Sequence, residues 1–410
     1  MRRHINPALV LAAFLAACGG ERAGGGIATT DSAGVAIVRH GTAALEKAAR
    51  WTIPDSALVS IGGADTGAMA LVQVLGARRL PDGSVALIDF ESGELRIFGP
   101  DGAHRRTIGR KGSGPGEFQA ASIIPDLRSD TIALFDAQLR RLTRVAPDSG
   151  IVEERDLRVL PFLAFAGALG IAADGRILGV SLAVDTSRKG NDAYETPMYV
   201  VLVPADKVEL DSVLQVPGFD SYTTEFEVQG RKIATPMRLG FGRLTSAAVL
   251  PDGFVVSTSH RPELDWYGLD GKLRRSSRFD LPRRAATAML KEQQTAKDLE
   301  QLSQAQRMIP APFRAQVEER VRQQRFADSL PWFEQVRRSA DGLVWLQEFQ
   351  SPDVDTRHFL VMDSTGALVA RVEVPGGVQP LSIGKDHFVG LWRNEDDVEF
   401  VRVYPIRRGS

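Results

Sequence analysis

Gly109-Arg110-Lys111-Gly112-Ser113-Gly114-Pro115-Gly116-Glu117-Phe118 is the stretch on which the reading of this chain turns. Four glycines and a proline within ten residues fit neither a strand nor a helix, so the backbone must turn sharply here and leave amides free. A phosphate-binding loop would need a helix after it and Gly-Lys followed by Ser or Thr; here a strand follows and the order is Lys111-Gly112-Ser113. Ser113 also lacks the Gly-x-Ser-x-Gly setting of a nucleophile elbow. The stretch reads as a hinge, the joint between two copies of one repeated unit.

The repeat is visible on both sides of it. Leu80-Pro81-Asp82-Gly83-Ser84-Val85 has counterparts at Pro125–Asp130, Ala173–Ile177, Leu250–Val255, Ala340–Val344 and, more loosely, Gly384–Val389. Each is a tight turn between two apolar strands, as a hairpin requires. A third strand ending in another Gly-bearing turn follows, as in Leu95–Gly102, Leu264–Gly271 and Phe359–Gly366, and then a fourth, such as Ala103–Gly109. Four antiparallel strands recurring roughly every 45 residues predict an all-β six-bladed β-propeller. The last unit ends after its third strand at Tyr404, while Val59-Ser60-Ile61-Gly62 aligns with the fourth strand Arg106-Thr107-Ile108-Gly109. The N-terminal segment is therefore expected to complete the sixth blade and close the ring, with Val35–Val38 as an outer strand and Ala43–Arg50 as a short helix.

Two insertions interrupt the period, both between the fourth strand of one blade and the first of the next. Residues 218–242 separate blades three and four, and residues 283–331 separate blades four and five. The second turns helical, with Phe313, Val317 and Val321 at four-residue steps, Ala285, Met289, Ala296 and Leu299 on one stripe, and Pro310 and Pro312 breaking it into a helical hairpin. Its apolar stripe suits a lid packed on the propeller or a docking surface for an envelope protein or peptide partner.

The 410 residues, 43% apolar and 25% charged with a net charge of -1, supply ample core and no bulk charge for nucleic acid. Residues 1–17 carry Arg2 and Arg3, then the apolar run Ala8–Phe14, which is a secretory signal too short to span a membrane. Leu15-Ala16-Ala17-Cys18 resembles a bacterial lipobox, which implies cleavage before Cys18, lipidation there, and a flexible tether over residues 18–30. Gly19, by the same resemblance, favours the outer membrane. The joint Ile108–Phe118 after Leu80–Asp89 is similar to the interblade signature of NHL-type repeats, and residues 31–408 resemble bacterial six-bladed β-propeller lipoproteins, with Asp31-Ser32-Ala33-Gly34-Val35 like the start of their mature domains.

The histidines at 40, 104, 260, 358 and 387 share no metal-ligand spacing with each other, with Cys or with carboxylates, and no motif demands a cofactor, so neither metal nor cofactor is expected. His260 and His387 read as structural or solvated. Fourth-to-first connections emerge on one face of a propeller, and loops on a rigid scaffold commonly carry binding residues. The starts of the innermost strands place Gln73, Glu117, Gln119, Arg243, Thr245, Glu334 and Gln379 at the channel mouth, with Phe165 and Trp332 as aromatic walls and Arg110 and Lys111 beside them. Such a ring either takes a small polar or peptide-like ligand or bonds only water and neighbouring blades. In the pairs Arg78-Arg79, Arg105-Arg106, Arg140-Arg141, Arg274-Arg275 and Arg337-Arg338, strand alternation turns one member of each to solvent, and the repetition favours a solvated face over a dedicated site. The function expected is a membrane-anchored extracytoplasmic binding or interaction scaffold. The alternative is a hydrolase or lyase at the mouth, with Glu117, Glu334 or His260 as acid–base groups.

Overall fold

The computed structural model describes residues 26–409 apart from 65, 129, 162–164, 183–191, 229–230 and 305–312; the signal peptide, Cys18 and most of the tether lie outside the described residues. The class is all-β, in small antiparallel sheets arranged as in a propeller. Six sheets occur among the described residues, beginning with the strands Val74–Arg79, Ala121–Ile124, Gly167–Ile171, Ser246–Leu250, Phe333–Arg338 and Val378–Ile383. From these strands onward, strands consecutive in the chain pair antiparallel within each sheet.

The second strand of each sheet explains why the sheets stack. Val85–Asp89 and Ile132–Asp136 are buried at every position. Successive side chains on a strand point to opposite faces, so a strand buried throughout must have protein on both. Val85 and Leu87 pack toward the sixth sheet with Val389, Leu391 and Val401, while Ala86 and Ile88 pack toward the second with Ile132 and Leu134. Trp345 likewise turns to the sixth sheet while its neighbours Val344 and Leu346 turn to the fourth. Each of the six sheet pairs that follow one another, the sixth and first included, encloses such a core.

The N-terminal segment runs across three sheets. Val35–His40 pairs parallel with Leu273–Phe279 of the fourth sheet, Ala49–Thr52 pairs parallel with Leu368–Val374 of the fifth, and Val59–Gly62 pairs antiparallel with Glu399–Pro405 of the sixth. Helix α1 (Thr42–Lys47) links the first two and buries Leu45 between the fourth and fifth sheets. The first strand starts at Ile27, inside the stretch expected as tether, and folds back on Val35–His40 through Ala33 and Gly34, both at positive φ, with the Gly34 amide donating to Asp31 Oδ1 at 3.1 Å.

Residues 218–242, expected as a connecting insertion, instead continue the third sheet. Asp211–Val228 is one 18-residue strand whose far half pairs with a fifth strand, Arg231–Arg238. Residues 283–331 contain α2 (Ala288–Gln304) and α3 (Arg314–Arg322). The inward stripe differs from the expected one: Met289 is 65% and Phe313 40% exposed, while Leu290 packs with Phe241, Ala286, Phe326, Leu330 and Phe349. That small core ties the insertion to the end of the third-sheet hairpin, with the Gly240 amide donating to the Arg325 carbonyl at 2.7 Å and the Ala327 amide to the Gly240 carbonyl at 2.8 Å.

In two of the arginine pairs one member, Arg105 or Arg274, faces solvent as alternation along a strand predicts, while its neighbour does not. One member of each of several pairs donates to carbonyls of the adjoining sheet: Arg106 Nη1 to Pro147 at 3.2 Å and Asp148 at 2.5 Å, and Arg275 Nη1 to Ser364 at 2.5 Å. Arg141 Nη1 donates to the Gly114 carbonyl at 2.9 Å and also reaches the Glu117 carbonyl. Arg155, outside the pairs, does the same to Pro204 at 2.6 Å. The repetition marks a fastening between sheets, made where third-strand turns leave carbonyls unpaired.

A chain beginning after Gly67 loses the strands that join the fourth, fifth and sixth sheets and leaves Glu399–Pro405 with an open edge. Thermal unfolding followed by circular dichroism should lose its single cooperative transition; a sharp transition like that of the full chain would show that these strands are dispensable.

Candidate functional site

The glycine-rich joint is held by its own side chains. Gly109 sits at φ +78°, and a Cβ there would come within 2.5 Å of the Phe118 ring, which is buried between the first and second sheets. The Glu117 carboxylate accepts the Gly114 amide and Arg110 Nε, each at 2.8 Å. The Gly114 amide first, and Arg110 second, hold its carboxyl below the usual range. Lys111 Nζ lies 3.7 Å over the Phe90 ring and donates to the carbonyls of Phe90 at 2.5 Å and Gln119 at 3.1 Å. The Gln119 amide donates to Asp136 Oδ2 at 2.7 Å. Arg110, Lys111, Glu117 and Gln119 therefore build the joint.

Asp136 and Asp89 are residues the sequence reading passed over. Each ends a fully buried second strand and is itself 1% exposed. Asp136 accepts amides from Gln119, Ala120, Gln138 and Leu139 at 2.7 to 3.1 Å, and Asp89 accepts those of Val72 at 2.6 Å and Ser92 at 2.9 Å. Satisfying several amides at once fixes where each first strand enters. A lone aspartate closing a run of four apolar residues was the available signal.

The remaining mouth candidates fall into separate neighbourhoods. Gln73, at φ +61°, accepts the Phe90 amide through its backbone carbonyl at 3.1 Å. Arg243 pairs with Glu195, and its amide donates to Asp220 Oδ2 at 3.0 Å. His260 lies within the field of these groups, its pKa lowered first by burial and then by Arg243. Thr245 Oγ1 donates to the Pro217 carbonyl. Trp332 packs against the core between the fourth and fifth sheets and donates through Nε1 to the Leu281 carbonyl at 3.3 Å. Phe165 is not a wall of the mouth: it is 1% exposed in the core between the second and third sheets, edge-on to Phe135. Gln379 lines a channel of about 920 Å³ running along the first strands, also walled by Leu75, Ser122, Ala168, Ala247 and Gln335.

Glu334 stands in the most distinctive setting. It opens the first strand of the fifth sheet beneath α2, in a cavity of about 280 Å³ bounded by Phe241, Lys297, Asp298, Phe349, Gln350 and Arg357. Glu334 Oε1 accepts the Gln350 amide at 3.1 Å, and Oε2 accepts Gln347 Nε2. Burial pushes its carboxyl up, against the opposing pull of the Gln350 amide and of Arg357. Arg357 is anchored by donating through Nη1 to the Gly376 and Val378 carbonyls at 2.5 and 2.7 Å. Asp298 accepts Gln294 Nε2 and Gln324 Nε2, both at 2.8 Å, which joins α2 to the segment after α3. The cavity thus has polar walls from the helical insertion facing polar walls from the fifth sheet, with two phenylalanines at its side. Lys297 and Arg357 escaped the sequence reading because neither lies near the start of a first strand.

No protein-family model matches the chain, and no curated protein does. Solved structures align along most of its length. The chain is similar to a Bacteroides fragilis protein described as exported, at 16% identity over 88% of this chain and 99% of that one, with a TM-score of 0.43. It is also similar to a gluconolactonase of Xanthomonas campestris, at 12% identity over 82% and 86% with a TM-score of 0.38. Virginiamycin B lyase from Staphylococcus aureus aligns at 10% identity over 81% and 94%, with a TM-score of 0.35. Among the described residues, no helix is long and apolar enough to cross a membrane, and no group of three or more His, Cys, Asp or Glu is placed to hold a metal ion.

The raised pKa of Glu334 has a stability consequence of definite sign. Between the ordinary carboxyl value and the raised one, the folded chain retains a proton that the unfolded chain has released, so stability falls as pH rises through that window. Glu334→Gln should raise the melting temperature at pH 7 and flatten its pH dependence above pH 4.5. A lower melting temperature at pH 7 would mean that the ionised carboxylate stabilises the fold.

Proposed function

We propose that the chain is an extracytoplasmic binding protein: a six-bladed β-propeller, closed by its N-terminal strands and held at the bacterial cell envelope by a lipid on Cys18. It takes a small polar ligand beneath the cap that its insertions form. The ring reading is supported by the order in which the first strands neighbour one another, Val74–Arg79 lying against both Ala121–Ile124 and Val378–Ile383, and by the strand Val59–Gly62 in the sixth sheet. The anchor is supported by Leu15-Ala16-Ala17-Cys18 after a short apolar signal.

The observation that carries the functional reading is the cavity over Glu334. Its residues include two cations, two carboxylates and three glutamines, at 294, 301 and 350, beside two aromatic rings. Pockets for larger ligands begin near 300 Å³, so this space suits a molecule the size of an amino acid or dipeptide. A zwitterion would match both signs of charge, its carboxylate toward Arg357 and Lys297 and its ammonium toward Glu334 and Asp298. The α2 residues give the cavity one wall and the fifth sheet gives it the other.

Thermal-shift and calorimetric titration of the full chain against free amino acids, dipeptides and monosaccharides is the direct test. A ligand that binds the wild type and loses about tenfold or more in affinity in both Lys297→Ala and Arg357→Gln supports the reading. Equal binding in both variants, or no binding in the panel, would overturn it. Cys18→Ser should separately move the protein from the membrane to the soluble fraction, and retention on membranes would overturn the anchor.

A further inference from the structure

The channel has a second mouth, and its chemistry differs from that of the first. The first strands start on the side of the glycine joint and the cap and end at the hairpin turns 80–84, 339–343 and 384–387. Three to four residues beyond Glu334, about 10 Å along the same strand, come Arg337 and Arg338. Arg78 and Arg79 occupy the matching positions of the first sheet, and Arg128 enters from the second. Among the described residues that line the channel, these five arginines and His387 face two carboxylates, Asp126 and Asp130.

The carboxylates offset this cluster only in part: Asp130 and Asp126 lie within the field of Arg78, and Asp341 within that of Arg338. Asp126 is held by Arg128 Nε at 3.1 Å and by Arg144 Nε at 2.7 Å, and Asp130 is exposed. Just outside, Asp341 pairs with Arg408 at 2.8 Å and Asp386 with His387 at 2.8 Å. Arg337 donates through Nη2 to Gln335 Oε1 at 2.8 Å and through Nη1 to the Leu381 carbonyl at 3.4 Å, while its Nε is buried with no partner. Arg338 Nε is buried and unpartnered as well. Arg78 Nη1 donates to the Thr131 carbonyl at 3.4 Å, with Asp130 and Asp126 in its field. Burial alone pulls the Arg337 guanidinium down to about 10, which still leaves it charged at neutral pH. A buried guanidinium whose partners are neutral carries a desolvation cost that a bound anion would offset.

We infer that Arg78, Arg337 and Arg338 form an anion site at this mouth, for a small ligand bearing two or more carboxylate or phosphate charges. Guanidinium groups suit both chemistries because their planar N–H pairs match paired oxygens. The two arginines whose side chains reach the neighbouring sheets, Arg78 and Arg337, belong to sheets one and five, which flank the sixth. A ligand between them would also bear on the sixth sheet's turn at Gly384. This site is independent of the cavity beneath the cap.

Inorganic phosphate and succinate are the probes, titrated into the full chain at ionic strength matched with sodium chloride. A saturable rise in melting temperature beyond that of chloride, for either anion, supports the site and names its ligand chemistry. Arg337→Gln and Arg78→Gln should each weaken that response by about tenfold or more, whereas Arg274→Gln, on an exposed pair with Asp270, should leave it intact. Without anion, Arg337→Gln should melt no lower than the wild type, since it removes a desolvated charge that only neutral partners hold. No rise beyond chloride, or an undiminished rise in both channel variants, would overturn the proposal.

Discussion

The constraint on which this structure depends is that the second strand of each sheet is apolar on both faces. Val85-Ala86-Leu87-Ile88 cannot lie on a sheet with one wet side, because either Val85 and Leu87 or Ala86 and Ile88 would then face water. Burying such residues stabilises by about 1.5–3 kcal/mol each, so stacking of sheets against neighbours on both sides outweighs any arrangement that leaves one face open. A sheet of this kind needs protein against both faces, and the sixth and first sheets share a core as other sheet pairs do. The core shared by Ile61, Val74 and Leu87 with Val389 and Val401 is where they meet.

Polar groups then do what the apolar faces cannot, which is to set positions. Asp89 and Asp136 gather amides at the places where first strands begin, and the arginines of outer strands reach carbonyls of the next sheet. Apolar contact is nearly indifferent to small slides, whereas an Asp holding several amides is not. The glycine joint between sheets one and two works in the same way, with Glu117, Arg110 and Lys111 satisfying one another and the local carbonyls.

The two ends of the channel differ because different parts of the repeat build them. One end receives the fourth-to-first connections, which have grown into a hairpin extension and two helices that share a small core. The other is made of short hairpin turns that leave room only for side chains of the strands themselves, and there arginines converge from several sheets. Polar groups of both signs under a cap, and guanidinium groups gathered at the other end of the channel, are suited to different ligands.

The repeat, its turn positions, the outer strand Val35–His40, the short helix after it and the helical character of residues 283–331 were legible in the sequence, because each rests on local periodicity or turn chemistry. The site was legible only in part. Glu334 could be placed at the start of a first strand, but its companions Lys297 and Arg357 come from a helix and a third strand, and nothing local ties them to it. The inward face of α2 was misassigned because Met289 and Ala296 suggested a stripe that the small core around Phe241 and Phe326 does not use. In the arginine pairs one member faces solvent, as with Arg105 and Arg274, while the other is turned to the neighbouring sheet. Alternation along a strand says which residues share a face, and only the neighbouring sheet decides whether that face meets water, a carbonyl or a channel.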